Sequence, residues 1–263
     1  MEKVPPPVLP LWTALVMIGI SGLLQPVEKL SYRLLGTIPH RQENFTQGLL
    51  YHGGYLYEST GKYGKSSLKK IDPANGRILK KINLTPGYFG EGLALHGQRL
   101  VQLTWVSEKA LVYNLEDFHF LGTFRYPGEG WGLTTAPEGF VMSNGSDCLW
   151  LVDFDRFQFQ KRIRVTFRGR PLPYLNELEY VDGLIYANVL TSPRIYGIDP
   201  QNGKVQKLLD LTVLVEQNSD GQPDTVLNGL AYDPAGQRWY VTGKNWPRIY
   251  ILKLENPLSK KDP

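Results

Sequence analysis

The sequence predicts an all-β chain, and three observations carry that prediction. Aromatic and glycine content is high, with 15 Tyr, 10 Phe, 6 Trp and 27 Gly, a composition that favours strands joined by turns. Past residue 30 no stretch keeps a helical period over three turns; short apolar runs punctuated by Gly, Pro, Asn and Asp take its place. One local pattern also recurs five times at near-constant spacing.

Tyr88-Phe89-Gly90-Glu91-Gly92-Leu93 shows the pattern best. Two glycines flank a carboxylate, so bare backbone lies on both sides of Glu91 and a ligand can approach it closely. The slot of Gly92 is filled by Gly48, Gly132, Glu177 and Gly229 in the other units, at spacings of 44, 40, 45 and 52 residues in chain order. Five units of about 45 residues match four-stranded propeller blades.

Each unit reads alike. A first strand follows the slot, such as Leu49-Leu50-Tyr51 or Leu93-Ala94-Leu95. A turn comes next, through Gly53-Gly54, His96-Gly97, Pro137-Glu138-Gly139, Asp182-Gly183 or Asp233-Pro234-Ala235-Gly236. The second strand ends in Glu58-Ser59-Thr60, Gln102-Leu103-Thr104, Met142-Ser143-Asn144, Ala187-Asn188-Val189 or Val241-Thr242-Gly243. Third strands alternate apolar residues, as in Leu149–Val152 and Arg194–Ile198. Turns such as Asp72–Gly76 and Asp199–Gly203 lead into fourth strands at Ile78–Ile82, Phe120–Phe124, Phe159–Ile163 and Val205–Leu209.

The fifth unit lacks a fourth strand after Ile249–Leu254, and Tyr32–Ile38 at the other end supplies it. The expected fold is a five-bladed β-propeller over residues 30–263, its ring closed by an N-terminal strand that hides the last sheet edge. The long fourth interval leaves room for a short helix or loop at Leu211–Thr225.

Residues 1–29 stand apart. Val8 to Leu24 carries no charge, and Leu11–Ile20 is strongly apolar, which fits a secretory signal or a short membrane anchor and predicts an exported protein. A buried N-terminal helix is the alternative. Net charge is +4, but Lys69-Lys70, Lys80-Lys81 and Lys161, Arg162, Arg164, Arg168 and Arg170 are scattered in a way that reads as solvated strand faces rather than a nucleic-acid surface. The single cysteine, Cys148, excludes an intrachain disulfide and reads as a small buried apolar residue.

In such a ring the residues just before each first strand, and just after each second strand, crowd one mouth of the central channel. Gln47, Glu91, Trp131, Asn176 and Asn228 share the first position; Thr60, Trp105, Asn144, Leu190 and Lys244 lie at or near the second. Packing alone favours similar small residues in equivalent slots, so this mixture of polar and aromatic types predicts a pocket. Asn228 reads as bonding loop backbone, Lys244 as either a ligand contact or an ion-pair partner, and Trp105 and Trp131 as walls or channel plugs. Glu91 reads as functional, because a buried lone carboxylate is costly without a task. His40, His52, His96 and His119 have no metal-ligand spacing, and no nucleophile-elbow, P-loop or dinucleotide motif occurs.

Phe45-Thr46-Gln47-Gly48, Glu58-Ser59-Thr60-Gly61, Phe89-Gly90-Glu91-Gly92, Leu103-Thr104-Trp105, Glu129-Gly130-Trp131-Gly132-Leu133-Thr134, Leu175-Asn176-Glu177-Leu178-Glu179, Ala187-Asn188-Val189, Leu227-Asn228-Gly229 and Thr242–Pro247 together resemble the plant and bacterial type of glutaminyl-peptide cyclotransferase. The resemblance implies a five-bladed propeller without a metal or other cofactor, converting N-terminal glutaminyl residues of peptides or proteins to pyroglutamyl with release of ammonia. It implies Glu91 as the acid/base carboxylate, Phe45, Phe89, Trp105 and Trp131 as aromatic walls, and Gln47, Asn176 and Lys244 as polar substrate contacts. The expected partners are glutamine-initiated chains, with no nucleic acid, membrane contact only through the N-terminus, and a monomeric protein. Leu190 stands where the family usually has Trp, and Asn144 where it commonly has Asp. Two rival readings remain: a non-catalytic peptide-binding propeller, and a calcium-dependent hydrolase of the lactonase kind.

Overall fold

The computed structural model describes Met1 and residues 26–255. The apolar segment read as a signal or anchor lies outside the described residues. Within them no helix is long and apolar enough to cross a membrane.

The chain opens with β1 (Glu28–Pro39), which starts two residues before the expected boundary at residue 30. Three four-stranded antiparallel sheets follow. They comprise β2 (Thr46–His52), β3 (Tyr55–Thr60), β4 (Ser67–Ile71) and β5 (Ile78–Asn83); then β6 (Gly90–His96), β7 (Arg99–Thr104), β8 (Lys109–Asn114) and β9 (Phe120–Arg125); then β10 (Leu133–Ala136), β11 (Gly139–Ser143), β12 (Cys148–Val152) and β13 (Phe159–Arg164). A small hairpin, β14 (Thr166–Phe167) and β15 (Arg170–Pro171), leads to β16 (Leu175–Val181), β17 (Leu184–Val189), β18 (Arg194–Ile198) and β19 (Val205–Asp210). Helix α1 (Thr212–Asn218) occupies the long fourth interval, and β20 (Leu227–Asp233), β21 (Arg238–Gly243) and β22 (Arg248–Glu255) complete the chain.

β1 pairs antiparallel with β22 from Ser31↔Glu255 to Pro39↔Arg248, supplying the strand that the last unit lacks. Its first three residues also pair parallel with Lys207–Leu209 of β19, which fuses the last two groups of four into one eight-stranded sheet. The architecture is all-β and propeller-like.

Apolar residues alternate into clusters that each lie between successive sheets. One of them, with Ile38, Leu49, Leu56, Ile71, Ala231, Tyr240 and Ile249, joins the first sheet to the last. Cys148 is buried, as its sequence context suggested. The inner strands touch through the glycine slot. A Cβ on Gly48 would lie 2.6 Å from Leu93 N, one on Gly92 2.4 Å from Leu133 N, and one on Gly132 2.0 Å from Asn176 O. Glycine is required at these three places because a neighbour's backbone fills the side-chain volume.

Where Glu177 takes the slot, its carboxylate accepts the N–H groups of Leu230 (2.8 Å) and Leu49 (3.1 Å). It thereby satisfies inner-strand donors of β20 and β2 that have no ladder partner on that side. Burial pushes this carboxyl well above its usual range, with Glu179 adding to the effect.

Four inner strands begin with a register shift, between Thr46 and Gly48, Gly90 and Leu93, Leu175 and Leu178, and Leu227 and Leu230. Gln47, Glu91, Asn176 and Asn228 thus sit on β-bulges inside the strands, not before them as the sequence pattern suggested. A bulge places two residues against one and re-aims a side chain out of the ladder.

One basic residue departs from its expectation. Lys69 is buried, whereas Lys81 and the 161–170 group, Lys161, Arg162, Arg164, Arg168 and Arg170, are exposed. Its ammonium meets Glu58 Oε2 at 3.0 Å and Asn44 Oδ1 at 2.6 Å. Glu58 also accepts Thr46 Oγ1–H (2.8 Å) and Asn44 Nδ2–H (3.0 Å), and bonds His40 Nε2 at 2.8 Å. His40 Nδ1 reaches Trp246 O at 2.8 Å, so the cluster ties the entrance of β2 to the segment after β21. Burial pushes the Glu58 carboxyl up, but Lys69, His40 and the side-chain hydrogen bonds outweigh it and hold the group down at about 2.

Replacing Glu58 leaves a buried ammonium unpaired, so Glu58→Ala is expected to lower stability by about 3–5 kcal/mol in denaturant unfolding near neutral pH. The folded carboxyl is depressed from 4.5, so its contribution is complete above 4.5 and fades as pH falls toward 2. The gap between wild type and variant should close over that window.

Candidate active site

The ends of the inner strands meet in one cavity of about 180 Å³, lined by Phe45, Gln47, Phe89, Glu91, Trp105, Trp131, Asn176, Leu190 and Lys244. All eight site residues expected from the sequence are there, with Leu190 as the ninth. Thr60, Asn144 and Asn228 are not. Thr60 Oγ1 bonds Ser67 Oγ (2.8 Å), and Asn144 Oδ1 accepts the Ser146 hydroxyl within its own turn (2.6 Å).

Asn228 instead supports the floor. Its Nδ2 donates to Gln47 Oε1 (3.1 Å) and Thr46 O (2.9 Å), and Gln47 Nε2 donates to Glu91 Oε1 (2.7 Å). Asn228 therefore fixes which way the Gln47 amide points, and Gln47 presents its NH2 to the carboxylate. The amide of Gln47 is bonded to Glu91 and so acts on the carboxylate as well as bounding the cavity. Beneath it, Ser59 Oγ donates to the Glu91 carbonyl, and Gln102 Nε2 donates to Ser59 Oγ at 2.7 Å.

Glu91 is 4% exposed. Burial pushes its carboxyl well above the usual range; Lys244 opposes that shift and Glu129 adds to it. Lys244 shows the mirror effect, its ammonium pushed down by burial and held up by Glu91 and Asp224. No carboxylate lies within 4.0 Å of Lys244 among the described residues. The side chain rests over the Phe45 ring, 4.8 Å from its centroid. A bridge between Phe45 and Lys244 fixes their backbones side by side. Asn176 is buried, and its Oδ1 has no hydrogen-bond partner among the described residues. An unmet buried acceptor on a cavity wall is a place for a ligand N–H.

The aromatic wall is built around Phe89, which meets Phe45, Tyr63 and Trp105 edge-on at centroid distances of 6.0, 5.5 and 5.7 Å. Gly61 lies beneath it, where a Cβ would come within 2.2 Å of the ring. Trp131 lies across Gly145 in the same manner, at 2.7 Å. The indole nitrogens of Trp105 and Trp131 both donate to Glu129 Oε2, at 2.7 and 2.9 Å. The bond of Asn228 to the Thr46 carbonyl is the backbone contact expected of it. Glu129, Ser59, Gln102 and the bond of Asn228 to the Gln47 amide escaped the residue-by-residue reading. Their only sequence signal was membership of the recurring stretches. Among the described residues no group of three His, Cys, Asp or Glu stands together as a metal site.

A protein-family comparison decides the kinship: the glutamine cyclotransferase profile matches residues 11–254. The chain belongs to the glutamine cyclotransferase family. The glutaminyl-peptide cyclotransferase of Arabidopsis thaliana is 39% identical over 233 residues, which cover 86% of this chain and 72% of that one. The crystal structure of Myxococcus xanthus glutaminyl cyclase superposes with a TM-score of 0.82 at 33% identity, covering 88% of this chain and 99% of that one.

In this family member the Glu91 carboxyl should titrate above 4.5 when followed by carbon-13 NMR. Lys244→Met removes the positive charge that opposes the shift, so the midpoint should move further up. An unchanged or lower midpoint would show that the two groups do not interact.

Proposed function

We propose that this chain is a glutaminyl cyclase: it converts the N-terminal glutaminyl residue of a peptide or protein to pyroglutamyl and releases ammonia. The observation that carries the reading is the buried Glu91 carboxylate, held by Gln47, inside an aromatic cavity that also contains Lys244 and the unmet acceptor of Asn176. Family membership and the two named relatives support the same activity.

The reaction asks the α-amine to attack the carbon of its own side-chain amide. A bond forms between the α-nitrogen and that carbon, the bond to the side-chain nitrogen breaks, and one proton passes from the first nitrogen to the second. Glu91 carries that proton. Burial raises its pKa towards that of an α-amine, about 8, so transfer in each direction meets a smaller mismatch than an ordinary carboxylate would face. Lys244 provides N–H donors for the amide oxygen as negative charge develops there. Asn176 Oδ1 accepts from a substrate N–H. Phe45, Phe89, Trp105 and Trp131 hold the side chain folded on its own amine and exclude water, which turns proximity into rate.

Around this site we read a five-bladed propeller, supported by the packing of one sheet on the next and by β1 completing the last one. The apolar run at Val8–Leu24 supports export, by a cleaved signal or an anchor, and the absence of metal-ligand spacing in the sequence supports catalysis without a metal.

The deciding experiment measures ammonia release, with the matching mass loss, from a short glutamine-initiated peptide. Wild type should turn over equally with and without a chelator. Glu91→Gln should lose roughly 10²–10⁴-fold in kcat with little change in KM. Activity retained in chelator excludes the calcium-dependent hydrolase, and binding without turnover would leave a peptide-binding propeller.

A further inference from the structure

Glu129 touches no reacting atom in the scheme above and acts on Glu91 only through its charge, yet its one oxygen, Oε2, holds both cavity indoles. The loops that carry them are also tied together, since Gly130 N donates to Trp105 O at 2.9 Å. On the other side Gly128 N donates to Glu108 Oε1 at 2.9 Å. Glu129 thus bridges the nitrogen edges of two indoles whose backbones and ring faces are placed by the Gly130–Trp105 bond and by packing on Phe89 and Gly145.

Glu129 is exposed at the mouth and has no ion-pair partner within 4.0 Å among the described residues. The ammonium groups beside the aromatic wall contact rings or a hydroxyl. Lys62 and Lys244 lie over the Phe45 ring, and Lys109 donates to the Tyr88 hydroxyl at 2.9 Å. At the mouth Glu129 lies on the indole edge, and Lys62 and Lys244 lie over the ring of Phe45. A chain whose terminal residue is seated at Glu91 must leave through this mouth, and its second side chain passes the rim.

We propose that Glu129 is a positioning and specificity-determining residue: it holds Trp105 and Trp131 as one wall and favours peptides with a cationic second residue. The proposal rests on the cyclase reading and extends it to the residue after the glutamine. An exposed charge pair of this kind corresponds to a preference of about two- to five-fold.

The test compares wild type, Glu129→Gln and Glu129→Ala on Gln-Arg, Gln-Ala and Gln-Glu peptides at low and moderate salt. Wild type should prefer Gln-Arg to Gln-Glu in kcat/KM, by an amount that shrinks with salt. Glu129→Gln keeps an acceptor oxygen for the indoles, so it should lose the charge preference while recovering most of the Gln-Ala rate that Glu129→Ala loses, the loss appearing more in kcat than in KM. A preference unchanged in Glu129→Gln overturns the selectivity, and equal Gln-Ala rates in wild type and Glu129→Ala overturn the positioning role. Tryptophan emission and iodide quenching of the same proteins read the wall without turnover. An altered spectrum in Glu129→Ala, with wild type inactive on all three peptides, would sink the cyclase reading and leave the indole clamp standing.

Discussion

The close approach of the inner strands is the constraint on which the rest of the structure depends. Backbone touches backbone at Gly48, Gly92 and Gly132, leaving no room for a Cβ. Beside these contacts four of the five inner strands carry a bulge, and only β10 keeps unbroken ladder register. The residue re-aimed by each bulge is the one that builds the site. Gln47, Glu91 and Asn176 reach the cavity, while Asn228 braces Gln47 from below. Tight packing and the chemistry of the mouth meet at the same strand ends.

Three buried carboxylates show how environment sets the behaviour of one residue type. Glu58 is surrounded by an ammonium, an imidazole, an amide and a hydroxyl, and stays ionised. Glu177 accepts two backbone N–H groups, too little to offset its burial beside Glu179. Glu91 has one amide donor and a cation that acts on it without touching it. Of these three, only Glu91 combines a raised proton affinity with a place on the wall of an open cavity. A group that must both take and return a proton needs that combination, whereas a group that only braces loops does better fully paired.

The sequence by itself determined the repeat, and through it the strands, the turns and the crowding of unlike residues at one mouth. Strand patterns are local, with period two and turn residues between, and they survive without tertiary information. Seven of the nine cavity residues stood in equivalent slots; Phe45 and Phe89 came only with the family resemblance, and Thr60, Asn144 and Asn228, in the same slots, lie outside the cavity.

Tertiary structure decided what each group bonds to. Lys69 looks like a solvated lysine beside Lys70 until the fold brings Asn44 and Glu58 to it. Gln47 looks like a ligand contact until Asn228, more than a hundred residues away, turns its amide toward Glu91. The fusion of the last two sheets through Glu28–Leu30 and the clamp of Glu129 on two indoles belong to the same class. Side-chain hydrogen bonds and proton affinities depend on neighbours that are distant in sequence and on how fully water is excluded. A repeat pattern encodes where a residue sits, and only the closed, packed structure fixes what surrounds it.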